Sequence, residues 1–128
     1  MKLLLDTHAF LWSAADDPRL TEPARAALLD PASTLHLSVA SVWEMAIKIS
    51  LGKLRMPGRW TDLVRREMTA NDILWLPIEI DHCSAVSSLP FHHRDPFDRL
   101  LAAQSLVDRL VLVSRDPAFD AYGVQRLW

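Results

Sequence analysis

Lys2-Leu3-Leu4-Leu5-Asp6-Thr7 is the stretch that decides the fold. Its three consecutive leucines predict a short strand that is buried on both faces, since a half-exposed strand would alternate apolar and polar residues. Strands of that kind belong to parallel sheets that are covered by helices. Asp6 falls where the strand would end, and open α/β sheets bind their ligands outside the carboxyl ends of the strands. The Asp6 carboxylate is therefore either a helix cap or a metal ligand, and the rest of the chain must decide between the two.

The composition is that of a globular protein. Half of the 128 residues are apolar and 23% are charged, which argues against disorder. The net charge of −2 provides no overall basic field for a nucleic-acid partner. The single cysteine, Cys83, cannot form an internal disulfide, and the sequence has neither a signal-peptide pattern nor an apolar window long enough to span a membrane. We therefore expect one domain over residues 1–128 that works in the cytoplasm, without a membrane.

Helix and strand patterns alternate along the remainder of the chain. We predict helices over 8–15, from a Thr21 cap to Asp30, from a Ser41 cap to Gly52, and over 60–70, 81–89 and 96–108, and further strands over 35–39, 73–76, 110–113 and 124–127. The 73–76 strand should be buried, and the β-branched 110–113 strand should be central. This alternation predicts a three-layer α/β/α fold around a mostly parallel sheet of four to five strands.

Three more acids follow at positions that such a sheet would bring to Asp6. Asp116 follows the strand over 110–113, Glu44 lies one turn into the helix after the second strand, and Asp98 lies at a helix start. Singly, each has a structural interpretation as a cap, a turn residue or a surface ion-pair partner. Together, four carboxylates at one edge of the sheet would repel one another. A hard divalent cation such as Mg²⁺ or Mn²⁺ relieves that repulsion, and sites of this kind hydrolyse phosphodiesters.

The segments that contain the acids are Leu5-Asp6-Thr7, Ser41-Val42-Trp43-Glu44, Asp98-Arg99-Leu100-Leu101-Ala102-Ala103-Gln104 and Val113-Ser114-Arg115-Asp116. This spaced set resembles a PIN domain over nearly the whole chain, and His93-Arg94-Asp95-Pro96-Phe97-Asp98-Arg99-Leu100-Leu101 resembles VapC-type toxins within that family. The resemblance implies a PIN-like fold and a Mg²⁺- or Mn²⁺-dependent endoribonuclease that a small cognate antitoxin neutralises. It also implies that Asp6, Glu44, Asp98 and Asp116 form the catalytic, metal-binding quartet.

Supporting roles are less specific. Thr7 either orients Asp6, contacts a metal-bound water or caps a helix, and Ser114 stands where the family often has Thr. Asp95 is an additional acid whose structural interpretation is a helix N-cap. For His92 and His93 we favour simple loop polarity over a transition-metal site, because tandem neighbours point in different directions.

A basic stretch and the tryptophans are candidate interaction surfaces. The basic residues that we expect to contact an RNA backbone, unless they are only a solvated helix face, are Lys48, Lys53, Arg55 and Arg59. Trp43 and Trp60 belong either to the core or to a surface for an antitoxin helix or a second subunit, and we expect a homodimer.

Other functions fit the sequence less well. A phosphoacceptor signalling domain needs a late lysine, yet the lysines are Lys2, Lys48 and Lys53. A haloacid-dehalogenase-type phosphohydrolase needs Asp-x-Asp after the first strand, and the third position here is His8. The alternative that stays open is a non-catalytic PIN scaffold that binds RNA or protein.

Overall fold

The secondary structure alternates between strands and helices along residues 1–128, all of which the computed structural model describes. The strands are β1 (Lys2–Leu5), β2 (Thr34–Ser38), β3 (Ile73–Leu76), β4 (Val111–Val113) and β5 (Arg126–Leu127). The helices are α1 (Thr7–Ala14), α2 (Glu22–Leu29), α3 (Val39–Ser50), α4 (Trp60–Ala70), α5 (Ile80–Ser88), α6 (Pro96–Asp108) and a 3₁₀ helix (Pro117–Tyr122).

The five strands form one sheet in the order β3-β2-β1-β4-β5, and every pair is parallel. The leucine strand β1 is central. The chain builds outward from it through β2 and β3 on one side, and then returns to its other side with β4 and β5. The strand order therefore reverses between β1 and β4, which is where open α/β sheets bind ligands.

Helices cover both faces of the sheet. Because successive side chains of a strand point to opposite faces, Leu3 and Leu5 pack with Met45 of α3, whereas Leu4 packs with Leu101 of α6. All three leucines of β1 are essentially inaccessible to solvent. The predicted three-layer α/β fold with a parallel sheet is confirmed, and none of its helices has the length and apolar character of a membrane-spanning segment.

The sequence prediction was wrong about how α3 begins. Ser38, the last residue of β2, caps the helix by accepting a hydrogen bond from the N–H of Ala40 at 3.1 Å. The chain therefore passes from strand to helix without a loop, and Ser41 is buried within the first turns of the helix rather than at its N-cap. Glu44 is therefore the sixth residue of α3, nearly two turns from the start of the helix, whereas the sequence predicted one turn.

Three strand predictions also need correction. β3 is an edge strand, so Leu74 and Trp75 are about half exposed and only Leu76 is buried. The strand predicted over 110–113 becomes β4, which has a neighbour on each side, but the centre of the sheet is β1. The strand predicted over 124–127 is confined to Arg126–Leu127.

Candidate metal centre

A small pocket of about 130 Å³ lies where β1 and β4 end. All four predicted acids line this pocket, although they belong to different segments of the chain. The lining residues are Asp6, Thr7, His8, Glu44, Lys48, Asp95, Asp98, Asp116 and Phe119. Five carboxyl groups thus face one another, and Lys48 is the only ammonium or guanidinium group among them. That the acids bind a metal stays a prediction.

Two of the acids cap helices and still face the pocket. Asp6 Oδ1 accepts a hydrogen bond from the N–H of Ala9 at 2.7 Å, and Asp116 Oδ1 accepts one from the N–H of Ala118 at 2.9 Å. A carboxylate has two oxygens, so a cap on Oδ1 fixes the group and leaves Oδ2 available for a ligand. Capping and metal binding, which the sequence posed as alternatives for Asp6, are therefore compatible.

At the start of α6, capping and the predicted metal binding fall to two different residues. Asp95 Oδ1 caps α6 by accepting hydrogen bonds from the N–H groups of Phe97 at 2.8 Å and Asp98 at 3.2 Å. This agrees with the cap interpretation of Asp95. The Asp98 side chain makes no cap bond, and burial, followed by the negative charge of Asp95, raises its pKa to about 7, although the nearby His93 ring acts in the opposite direction.

Glu44 is held from two sides inside the pocket. Thr7 Oγ1 donates a hydrogen bond to its Oε1 at 2.6 Å, and Lys48 Nζ donates to its Oε2 at 2.7 Å. Of the roles that the sequence left open for Thr7, its hydroxyl neither bonds to Asp6 nor caps a helix, because it faces Glu44 on α3 and Asp6 caps α1. Burial tends to lower the pKa of Lys48, but the hydrogen bond and the charge of Glu44 outweigh this effect and raise it. Lys48 is thus an internal counter-charge of Glu44, although about a third of its side chain is exposed.

Ser114 lies between the two acids that follow β1 and β4. Its Oγ accepts a hydrogen bond from the N–H of Asp116 at 3.1 Å, which fixes the turn after β4. Burial raises the pKa of Asp6, while hydrogen bonds from Ser114 and from the N–H of Ala9 lower it; the net shift is upward. A supporting position for Ser114 is therefore consistent with the structure.

His93 contacts two of the acids that line the pocket, and the sequence prediction missed these contacts. Its Nε2 forms a 3.3 Å hydrogen bond with Asp116 Oδ2 and lies 3.1 Å from Asp98 Oδ2. The tandem histidines do point apart, since the ring of His92 packs against Tyr122 instead. Loop polarity was nevertheless the wrong interpretation of His93, and no local spacing signals its contact because the path of the 89–95 loop decides it.

The side chains of the pocket fit a hard divalent cation. Five carboxyl groups, those of Asp6, Glu44, Asp95, Asp98 and Asp116, line the pocket beside a single lysine. The raised pKa values of Asp6 and Asp98 show that burial leaves their charges without full compensation. Carboxylate oxygens are the protein ligands that Mg²⁺ and Mn²⁺ prefer, so such an ion would supply the missing positive charge.

The predicted RNA-contact residues lie outside this pocket, apart from Lys48. Lys53, Arg55 and Arg59 are exposed on the connector between α3 and α4. Arg55 lines a groove of about 450 Å³, and His8 lines both this groove and the carboxylate pocket. The basic connector is therefore next to the pocket, and its contact with RNA stays a prediction.

The aromatic residues divide between core and surface. Trp60 packs against the core, whereas Trp43 is 62% exposed and meets Phe97 edge to face at 5.8 Å. Trp43 and Phe97 immediately precede Glu44 and Asp98, so this aromatic pair, exposed at Trp43 and half-buried at Phe97, joins the two helices that carry those acids.

Solved structures share this fold. The chain resembles the VapBC2 complex of Rickettsia felis bound to a promoter DNA fragment, with a TM-score of 0.72, 12% identity and full coverage of both chains. VapBC-1 of nontypeable Haemophilus influenzae has a TM-score of 0.64 at 17% identity, over 98% of this chain and 96% of that one. FitAcB of Neisseria gonorrhoeae has a TM-score of 0.61 at 20% identity, over 97% and 95%.

The family follows from the sequence over almost its full length. No curated protein matches the chain. The model of the PIN domain family matches residues 3–125, which include all four predicted acids and His93. The chain belongs to the PIN domain family.

Proposed function

We propose that the protein is a Mg²⁺- or Mn²⁺-dependent endoribonuclease and the toxin of a type II toxin–antitoxin pair. The observation that carries the proposal is the pocket at the switch point between β1 and β4, where five carboxyl groups face a single lysine. The likeness of the fold to VapBC complexes and the VapC-like segment from His93 to Leu101 support it.

In this proposal Asp6, Glu44, Asp98 and Asp116 hold the cation. When bound, the cation supplies a more acidic water and stabilises the negative charge that develops on the leaving oxygen of a phosphodiester. The chain itself fixes the ligands: helix caps hold Asp6 and Asp116, and Thr7 and Lys48 hold Glu44. The protein's own contribution in this proposal is thus positioning and charge.

The proposed partners are an RNA, a small antitoxin and a second copy of the chain, all in the cytoplasm. Arg55 lines a groove that shares His8 with the pocket, and Lys53 and Arg59 are exposed on the same connector, so these residues suit contact with a phosphate backbone that enters the pocket. The exposed Trp43, packed against the half-buried Phe97, suits an apolar protein contact.

The test uses expression in a bacterium. Asp116→Asn keeps the oxygen that caps the 3₁₀ helix and replaces the other with an amide nitrogen, which is a poor ligand for Mg²⁺. We expect the unmodified chain to arrest growth and the Asp116→Asn variant, at equal abundance, to permit it. Asp30→Asn is the matched control, since Asp30 Oδ1 also accepts a backbone hydrogen bond but lies exposed after α2.

The same experiment distinguishes the proposed nuclease from a non-catalytic scaffold. A scaffold that inhibits growth by binding RNA or protein would retain its effect in Asp116→Asn. Equal arrest by both proteins would therefore contradict the proposed nuclease.

A further inference from the structure

His93 is held so that its ring edge faces two of the carboxylates. The backbone N–H of Asp95 donates a hydrogen bond to its Nδ1 at 3.1 Å. At the other edge of the ring, Nε2 contacts Asp116 Oδ2 and Asp98 Oδ2. The same ring is thus connected to the cap of α6 and to two predicted metal ligands.

These contacts determine which nitrogen carries the proton. A ring nitrogen that accepts a hydrogen bond from an N–H group has no proton of its own, so Nδ1 is the unprotonated nitrogen. The neutral imidazole then carries its proton on Nε2. A metal ligand needs a free electron pair, and Nε2 in this position is instead a donor to Asp116 Oδ2, with Asp98 Oδ2 3.1 Å away.

The loop that carries His93 is fixed by a buried guanidinium. Arg99 is 6% exposed and donates hydrogen bonds to three carbonyl oxygens of the loop region, those of Val86, Leu89 and Pro90. It also donates to the Tyr122 hydroxyl at 3.3 Å, and that hydroxyl accepts the backbone N–H of His93 at 2.8 Å. The backbone and the ring of His93 are therefore both anchored, which limits the freedom of the ring to turn.

We propose that His93 is a positioning residue of the metal centre, whose Nε2–H holds the Asp98 and Asp116 carboxylates together without itself binding the cation. Its donor role does not depend on a metal, whereas its effect on cation binding rests on the function proposed above. Asp95 then has two tasks, because its carboxylate caps α6 while its N–H selects the tautomer of His93.

The tautomer is measured on the metal-free protein. Two-bond ¹H–¹⁵N correlation spectra in EDTA should show His93 with its proton on Nε2. A proton on Nδ1, or a rapidly averaged mixture of both tautomers, would overturn the donor role.

The relation to the cation is measured with Mn²⁺ alone. Pulsed electron paramagnetic resonance of the Mn²⁺-loaded protein should show no directly coordinated imidazole nitrogen. His93→Leu should weaken Mn²⁺ binding by about ten- to a hundredfold, the usual effect of losing a hydrogen-bond partner of a ligand. His93→Gln, whose amide can still donate, should recover part of that loss, and His92→Gln should bind Mn²⁺ as the unmodified chain does.

A nitrogen signal that disappears in His93→Leu would overturn the inference, and so would unchanged Mn²⁺ affinity in a folded His93→Leu protein. Mn²⁺ binding is measured without RNA, so the test of His93 is independent of the test of the proposed nuclease. A protein that binds Mn²⁺ but cleaves no RNA would contradict the nuclease, while the same variants would still decide the role of His93.

Discussion

Replacing the buried Asp98 carboxyl by an amide should stabilise the metal-free protein at high pH. Burial and the neighbouring charge of Asp95 raise the pKa of Asp98 from 3.8 to about 7. The folded state therefore holds this proton more tightly than the unfolded chain, and the free energy of unfolding falls as pH rises from 3.8 to about 7.

The size of the effect follows from the same shift. At about 1.4 kcal/mol per pKa unit, ionised Asp98 would destabilise the fold by about 4 kcal/mol above pH 7. A quarter of the side chain is exposed. Solvent screening reduces the cost, so we expect Asp98→Asn to gain about 1–3 kcal/mol near pH 8 and much less near pH 5.

Urea unfolding in EDTA at both pH values measures this gain. Asp62→Asn is the matched control, because Asp62 also lies at the third position of its helix, α4, but is exposed. It should lose the interaction with the helix dipole and the exposed ion pair with Arg65, together about 0.3–1 kcal/mol. If Asp98→Asn were destabilised as much as Asp62→Asn near pH 8, the argument from buried charge would be wrong. Added Mg²⁺ should stabilise the unmodified protein more than Asp98→Asn.

Three further changes test the supporting structure. Arg99→Lys cannot satisfy the four acceptors of the guanidinium and should lose about 2–4 kcal/mol in urea unfolding; near-normal stability would contradict its role as the anchor of the loop. Ser38→Ala should lose about 1 kcal/mol with its helix cap, while Ser41→Ala, whose buried hydroxyl has no partner, should lose less; the reverse order would restore Ser41 as the cap. Lys53→Ala and Arg59→Ala should weaken RNA binding in EDTA by a factor that shrinks as salt rises, whereas Lys2→Ala, at the amino end of β1, should not; a salt-independent loss would argue against phosphate contacts.

Local signals explain why much of the fold could be predicted. The apolar run before Asp6 is specific to a buried strand, and β1 is indeed the centre of the sheet. The helices over 60–70 and 96–108 have the predicted bounds, and Asp95 and Pro96 mark the start of the second within two residues. The convergence of the acids could be predicted because Asp6 and Asp116 follow strands, Asp98 lies at a helix start, and a parallel sheet places the carboxyl ends of its strands at one edge.

Features that depend on tertiary contacts could not be predicted in this way. Ser38 and Ser41 are both plausible N-caps of α3, and the residue at which β2 ends determines which of them caps the helix. The exposure of β3 depends on its place in the strand order. The entry of His93 into the pocket depends on Arg99, which contacts the loop from α6. The partner of Thr7 likewise depends on how α1 packs against α3.

The central claim is that the carboxylate pocket cleaves RNA with a bound cation, and the most direct measurement is the cleavage of a labelled RNA by the purified protein. We expect cleavage with Mg²⁺ or Mn²⁺, none after EDTA, and at most residual cleavage by Asp6→Asn, which keeps the oxygen that caps α1 and should remain folded. A folded Asp6→Asn protein that cleaves RNA as fast as the unmodified chain, or cleavage that persists in EDTA, would contradict the four-acid metal centre.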